Sequence, residues 1–254
     1  MGHPAGQSSA SRDFYERAYA QSETDGLRFG AWRQVTAAGK ADRALRALRA
    51  LPEEGVTVLD VGCGDGALLV ELGRRRPHWM PAGVEIAPAA ARIASERLPG
   101  VEVRTYSGAR LPWPDGSFDA GLLSHVLEHV AEPLATLREV ARVCRLVVVE
   151  VPLERNLSAG RRSKRAQAQT IGHLHRLSRA DVRRLVNTAG LELRDELTGT
   201  LSRAALRFFA VDTAARLRAD VKWAVQRGLA RAAPALAERV FTVQYVALCA
   251  AHQA

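Results

Sequence analysis

From Val56 onward the sequence alternates short apolar runs with stretches of helical spacing. The first run ends in a glycine cluster, Val58-Leu59-Asp60-Val61-Gly62-Cys63-Gly64-Asp65-Gly66. Such alternation predicts a parallel sheet covered on both faces, because each crossover must return the chain to the same edge. Strands are expected at Val56–Val61, Pro81–Ile86, Val101–Thr105, Phe118–Ser124, Leu146–Val151, Leu191–Leu197 and Phe241–Ala250. Helices are expected through Arg76, from Pro88 to Leu98 and from Pro133 to Val143. The predicted class is α/β, a seven-stranded, mostly parallel sheet with a helical insertion between its last two strands.

Ahead of this unit, Arg12–Ala20 and Lys40–Leu51 have helical spacing, while Asp25–Trp32 carries two glycines and reads as a loop or frayed helix start. Residues 1–55 are expected to form an N-terminal helical cap. Residues 56–254 form one domain with insertions at about 153–176 and 203–239, the second interrupted by Gly228 and Pro234. Met1–Ser11 reads as a loose tail without the apolar segment of a signal peptide.

Composition narrows the class further. A chain of 254 residues with 47% hydrophobic and 25% charged residues is globular and large enough for a core without staples. Its longest apolar runs, Leu146–Val149 and Val243–Ala251, fall short of the ~20 residues that span a bilayer. Cys63, Cys144 and Cys249 lie in apolar stretches without metal-site spacing, so buried free thiols in a cytoplasmic protein are expected. The net charge is +9, and only Lys40, Lys164 and Lys222 among its basic residues are not arginine. Between Leu153 and Asn187 the bases greatly outnumber Glu154 and Asp181, a patch suited to an anionic partner or simply to solvent.

The glycine cluster closes a strand and opens a helix, at the sheet edge where open α/β folds bind ligands. Glycines there permit positive φ and let a ligand lie against the backbone. The spacing is G-x-G-x-G with Asp60 and Asp65 beside it, which disfavours a pyrophosphate and favours a cationic or hydroxyl-bearing ligand. Glu85 ends the next strand, where a carboxylate suits a vicinal ribose diol.

Val58–Gly66, Glu85, Leu111-Pro112-Trp113-Pro114-Asp115-Gly116-Ser117-Phe118-Asp119 and Val126-Leu127-Glu128-His129-Val130 together resemble a class I S-adenosylmethionine-dependent methyltransferase. The resemblance spans roughly Val56 to Leu193 and implies a Rossmann-like fold. It also implies S-adenosylmethionine as methyl donor and S-adenosylhomocysteine as product. It places Asp60, Gly62, Cys63 and Gly64 around the methionine end, Glu85 on the ribose and Ile86 on an adenine face. Ser107 stands where the family has an acid or amide near the adenine amino group, flanked by Gly108, Ala109 and Arg110. Ser124 and His125 are implied to face the sulfonium. Leu27-Arg28-Phe29-Gly30 is similar to a segment of ubiquinone-pathway O-methyltransferases, which implies that Arg28 holds the cofactor carboxylate; a solvated helix arginine is the alternative. Tyr15 and Tyr19 fit either a lid or helix packing.

Methyl transfer to a hydroxyl benefits from a base, and neutral imidazole can serve near pH 7. His125 stands beside the expected methyl, and His129 either shares that role or fixes its loop. His173 and His175 follow the fifth strand, where acceptors enter. Their alternation invites a metal reading, but no third ligand is evident, so they are assigned to substrate lining and no metal is assigned. The expected activity is methylation of a small-molecule acceptor, at oxygen, on a glycan, lipid-linked or secondary-metabolite substrate. An anionic acceptor and peripheral membrane contact both fit the basic insertions. Nucleic-acid methylation is the alternative, but the chain has no Asn-Pro-Pro-Tyr-type motif, no cysteine placed to attack a pyrimidine and no recognisable RNA-binding module. A non-catalytic cofactor-binding subunit is the third reading. Oligomeric state is not legible.

Overall fold

The computed structural model describes residues 9–24 and 27–251, with side chains described at 12–19, 30–166 and 168–251. Helices α1 (Ser9–Thr24) and α2 (Leu27–Ala47) precede an alternating unit. That unit runs β1 (Thr57–Val61), α3 (Ala67–Arg75), β2 (Met80–Glu85), α4 (Pro88–Arg97), β3 (Glu102–Thr105), β4 (Phe118–Ser124), α5 (Pro133–Val143) and β5 (Cys144–Pro152). Then come α6 (Arg162–Thr170), α7 (Arg179–Thr188), β6 (Leu191–Gly199), α8 (Arg203–Arg207), α9 (Thr213–Ala232), α10 (Pro234–Val240) and β7 (Gln244–Ala251). The seven strands form one sheet in the order β3-β2-β1-β4-β5-β7-β6, with β7 antiparallel to both neighbours and the remaining pairs parallel. Strand direction from β1 runs outward to β2 and β3 on one side and to β4 and β5 on the other. The crevice at this reversal lies beside β1 and β4.

Both sheet faces are covered, which is why the strands read as continuous apolar runs. Val58, Leu122, Val148 and Val246 share one core with Ala41, Ala44 and Ala47 of α2 and with Leu68 and Leu72 of α3. Their neighbours Leu59, Leu123, Val149 and Ala247 face the other way, onto Leu137 and Val140 of α5 and Val182 and Val186 of α7. Prolines at the first turns of α4, α5 and α10 start those helices without a backbone N–H to satisfy. Ser178 and Asp181 close a capping box on α7.

Three expectations are narrowed or corrected. The segment read as a loop or frayed helix start is helical from Leu27 through Trp32. Gly30 costs about 1 kcal/mol relative to Ala, but α2 recovers it by burying Ala37, Ala41, Ala44 and Ala47 along one stripe. Ser9–Ser11, expected in a loose tail, begin α1, whereas residues 1–8 of that tail lie outside the described residues. In the second insertion α9 runs through Gly228, and only Pro234 marks a break. The three cysteines are free and buried. No helix among the described residues is long and apolar enough to cross a membrane.

Gly121 in β4 is buried where an added Cβ would stand 2.6 Å from Cys144 Sγ and 2.8 Å from Val140 Cγ1. Gly121→Ala is expected to destabilise the fold by about 1–3 kcal/mol through overpacking, read as a lower midpoint in thermal or urea unfolding.

Candidate active site

A cavity of about 390 Å³ opens at the carboxyl ends of the strands, a size suited to a cofactor with a small partner. Its floor carries Asp60, Gly62, Cys63 and Gly64 from the β1 end, Glu85 and Ile86 from β2, Tyr106 beyond β3, and Ser124 and His125 from β4. Its roof carries Tyr15 and Tyr19 of α1 and Trp32, Arg33, Thr36, Lys40 and Arg43 of α2.

The floor depends on a turn only glycine can make. Gly62, Gly64 and Gly66 have φ of 74°, 57° and 77°. A Cβ on Gly64 would stand 2.3 Å from the Tyr19 hydroxyl, so this position excludes a side chain on two grounds. Glu85 closes the turn. One carboxylate oxygen accepts from Gly64 N–H at 2.8 Å, the other from Ile86 N–H at 2.7 Å and Ala87 N–H at 3.1 Å. Burial raises the Glu85 pKa against the pull of these amides. Oε2 keeps one lone pair for a ligand hydroxyl.

Beneath the β4 end lies a carboxylate that the sequence reading missed. Glu150 receives Arg43 Nε at 2.7 Å and Ser124 Oγ at 2.9 Å, with His125 Nε2 3.8 Å away. Burial pushes its pKa up, but His125 and Arg43 outweigh it and hold the group at about 2. A lone glutamate inside the apolar run Leu146–Val151 was the available signal. His125 has φ 59°, the one positive value on a non-glycine residue among those described, and its Nδ1 lies 3.1 Å from Glu128 Oε1. Burial and Lys40 act to lower its pKa, yet Glu128 and Glu150 prevail and raise it. His125 thus sits between two carboxylates that favour its protonated form.

His129 differs. Its Nδ1 meets Gly172 O at 3.0 Å, and burial lowers its pKa to about 4, against the pull of Glu128, leaving a neutral ring at the cavity wall. His173 joins it edge-on, ring centroids 4.6 Å apart, with Nδ1 2.8 Å from Glu154 Oε2. Tyr15 meets the His129 ring edge-on at 5.7 Å. Burial, first of all, raises the pKa of the Tyr15 and Tyr19 hydroxyls, so neither acts as a base.

Several expected residues lie elsewhere. His175 turns its Nε2 onto Val130 O at 2.9 Å and does not line the cavity, because alternate residues of an extended segment point apart. Ser107, Ala109 and Arg110 are exposed on the turn after β3, and Ser107 Oγ accepts from Ala109 N–H at 3.4 Å. With Gly108 they stay outside the cavity lining, where Tyr106 stands instead. Arg28 lies in the first turn of α2, and its side chain is outside those described. Farther along that helix, Lys40 faces the cavity with no hydrogen bond or ion pair to any described residue, and burial lowers its pKa. Asp60 is likewise without such a partner, and burial raises its pKa to about 7 despite Lys40. Arg33, by contrast, packs over the Tyr19 ring at 4.1 Å and lies 3.5 Å from Asp65.

A family model described as a methyltransferase domain matches residues 30–196, from α2 through β6. The chain belongs to the class I S-adenosylmethionine-dependent methyltransferases. Over 149 residues it is 30% identical to a Mycolicibacterium smegmatis protein named for S-adenosylmethionine-dependent methyl transfer, covering 56% of this chain and 54% of that one. It is 34% identical over 111 residues to a demethylmenaquinone methyltransferase of Thermus thermophilus, covering 41% and 50%. The methyltransferase fold recurs, at TM-score 0.62 and 20% identity, in a Haloferax volcanii complex between the Trm112 methyltransferase activator and a methyltransferase, over 96% of this chain and 98% of that one. The chain spans about half or less of the length of the first curated relatives it matches.

The Arg43–Glu150 pair is almost wholly buried. Arg43→Met, which leaves the carboxylate buried without its guanidinium, is expected to cost up to about 3–5 kcal/mol. The double variant Arg43→Met/Glu150→Gln should regain most of that stability in denaturant titration.

Proposed function

We propose that the chain transfers the methyl group of S-adenosylmethionine to a small-molecule acceptor and releases S-adenosylhomocysteine. The observation that carries this reading is the pairing of two unsatisfied groups, Lys40 and Asp60, on walls of one cavity. A half-buried lysine and a buried acid, neither hydrogen-bonded to a described residue, complement a zwitterion, and the methionine end of the donor is one. Lys40 takes the carboxylate role that the sequence assigned to Arg28, and Asp60 takes the ammonium. Gly62, Cys63 and Gly64 offer backbone to the methionine chain. The free lone pair of Glu85 Oε2 receives a ribose hydroxyl, and Ile86 and Tyr106 flank the base ring. In this arrangement Ser107, Gly108, Ala109 and Arg110 border the adenine from outside.

The bound donor supplies an electrophilic methyl on a positively charged sulfur. The protein's task is alignment, worth on the order of 7–11 kcal/mol when two reactants are held in line. Ser124 and His125 sit at the β4 end facing that methyl, and Glu150 fixes both. His125, held between two carboxylates, serves as a positioning group, while His129 and His173 line the acceptor end and suit an acceptor hydroxyl. The quinone-type substrate in the Thermus thermophilus relative's name supports a small-molecule acceptor. On α9, Leu217, Val221 and Val225 present an exposed apolar stripe beside Arg218 and Lys222, which supports a lipid-linked or anionic acceptor met at a membrane surface. A cytoplasmic site of action accords with three buried free thiols.

Calorimetry with S-adenosylhomocysteine tests the reading directly. The wild-type chain is expected to bind it one to one, and no binding would refute the proposal. Lys40→Met is expected to weaken that binding by about 1–3 kcal/mol without lowering the melting temperature, since it removes no hydrogen bond or ion pair to a described residue. The affinity should also depend on pH. Because Asp60 holds its proton up to about pH 7, a ligand ammonium that needs the carboxylate must displace it below that pH. Affinity is expected to rise between pH 6 and 8, by up to roughly tenfold per unit on the acid side. Asp60→Asn should flatten that dependence.

A further inference from the structure

Glu128 is 1% exposed, and neither of its carboxylate oxygens receives a well-aligned hydrogen bond from any described residue. His125 Nδ1 lies 3.1 Å from Oε1 without hydrogen-bond alignment. A buried carboxylate without an aligned donor keeps lone pairs free to bind a metal cation, with His125 as its one ion-pair neighbour among the described residues. Two further imidazoles stand beside it. Ligand atoms of Glu128, His129 and His173 all lie within 4.8 Å of one another.

The outer hydrogen bonds decide how those imidazoles present themselves. His129 Nδ1 faces the carbonyl oxygen of Gly172, and His173 Nδ1 faces the Glu154 carboxylate. Both partners are acceptors only, so each Nδ1 carries the proton and donates it. Each Nε2 therefore keeps its lone pair, and neither has a hydrogen-bond partner among the described residues. An imidazole anchored through one N–H to a carboxylate or backbone carbonyl, with the other nitrogen bare, is the arrangement that metal-binding histidines adopt. Gly172 is itself held in place, with φ 82° and Phe14 packed against the position a Cβ would take, at 3.1 Å.

We propose that Glu128, His129 and His173 form a binding site for one divalent first-row transition ion at the acceptor end of the cavity. Two imidazole nitrogens and one carboxylate leave coordination positions open and favour ions of the Fe²⁺, Co²⁺ or Zn²⁺ kind over Mg²⁺. Ligands at the usual ~2.0–2.2 Å from such an ion stand closer together than the present atoms do, so the side chains must draw in slightly on binding. His129 and His173 line the cavity, so the open positions face the acceptor. The proposal deepens the methyl-transfer reading and rests on it for one point only, the nature of that acceptor. An acceptor seated by the ion must offer an oxygen donor, such as a hydroxyl with an oxygen neighbour. In this role His129 and His173 are ligands rather than proton acceptors.

Co²⁺ titrated into the purified full chain, followed by visible absorption and calorimetry, tests the site. One equivalent is expected to bind with ligand-field bands and without the intense near-ultraviolet band of thiolate ligation, and Mg²⁺ at equal concentration should not displace it. Glu128→Gln and His173→Asn should each abolish binding. Glu154→Gln should weaken it by roughly 10- to 100-fold. Calorimetry with S-adenosylhomocysteine on the same samples certifies that each variant is folded. Donor binding without Co²⁺ binding, or Co²⁺ binding indifferent to these substitutions, overturns the metal site and leaves the methyltransferase reading standing. Co²⁺ binding without donor binding does the reverse.

Discussion

The structure turns on a carboxylate that holds a glycine bend open. Glu85 ends β2, and its two oxygens take up amides from Gly64, Ile86 and Ala87, so one side chain fixes the ends of two adjacent strands. Charge-assisted bonds of this kind are short and directional, and here they compensate the burial that raises the acid's pKa. Without the left-handed geometry at Gly62, Gly64 and Gly66, α3 would start in a different direction and the crevice beside β1 would close. The sheet order puts that crevice between the two directions of winding. The bend keeps it accessible.

A second acid ties the roof to the floor. Glu150 joins Arg43 of α2 to Ser124 and His125 at the β4 end, and His125 in turn approaches Glu128. These groups form a chain from the capping helix to the cavity in which bases and acids alternate. Along it the ionisable groups are paired in the protein itself until the cavity is reached. There Lys40 and Asp60 stand without a hydrogen bond, and Glu128 just behind the wall lacks an aligned one. Stability alone would favour apolar residues at such positions. Groups left in that condition are best understood through what they bind.

Periodicity and turn chemistry made the layered sheet legible. Strand and helix positions from Val56 to Val151 were readable because each apolar run is bounded by Gly, Pro or a charged turn, and β4 and α5 fall where they were expected. Helix α2 was obscured by its glycines, since local propensity does not reveal a stripe of alanines that finds a partner sheet. The residues expected around the donor at the β1, β2 and β4 ends do converge, because strand termini in a parallel sheet share one edge. Lys40 and Arg43 could not be placed from spacing, as their positions depend on how α2 crosses that edge. Nor could Glu128 be joined to His173, since the juxtaposition comes from the segment after β5 folding back, where Leu174 and His175 donate their amides to the Glu128 carbonyl.

Tyr15 and Tyr19 stand one helical turn apart on α1. The first packs on the His129 ring, and the second closes over Gly64. A single helix therefore serves as lintel over both the glycine bend and the histidine wall of one cavity. Neither end can be unroofed without disturbing the other, so any change that loosens α1 would open both together.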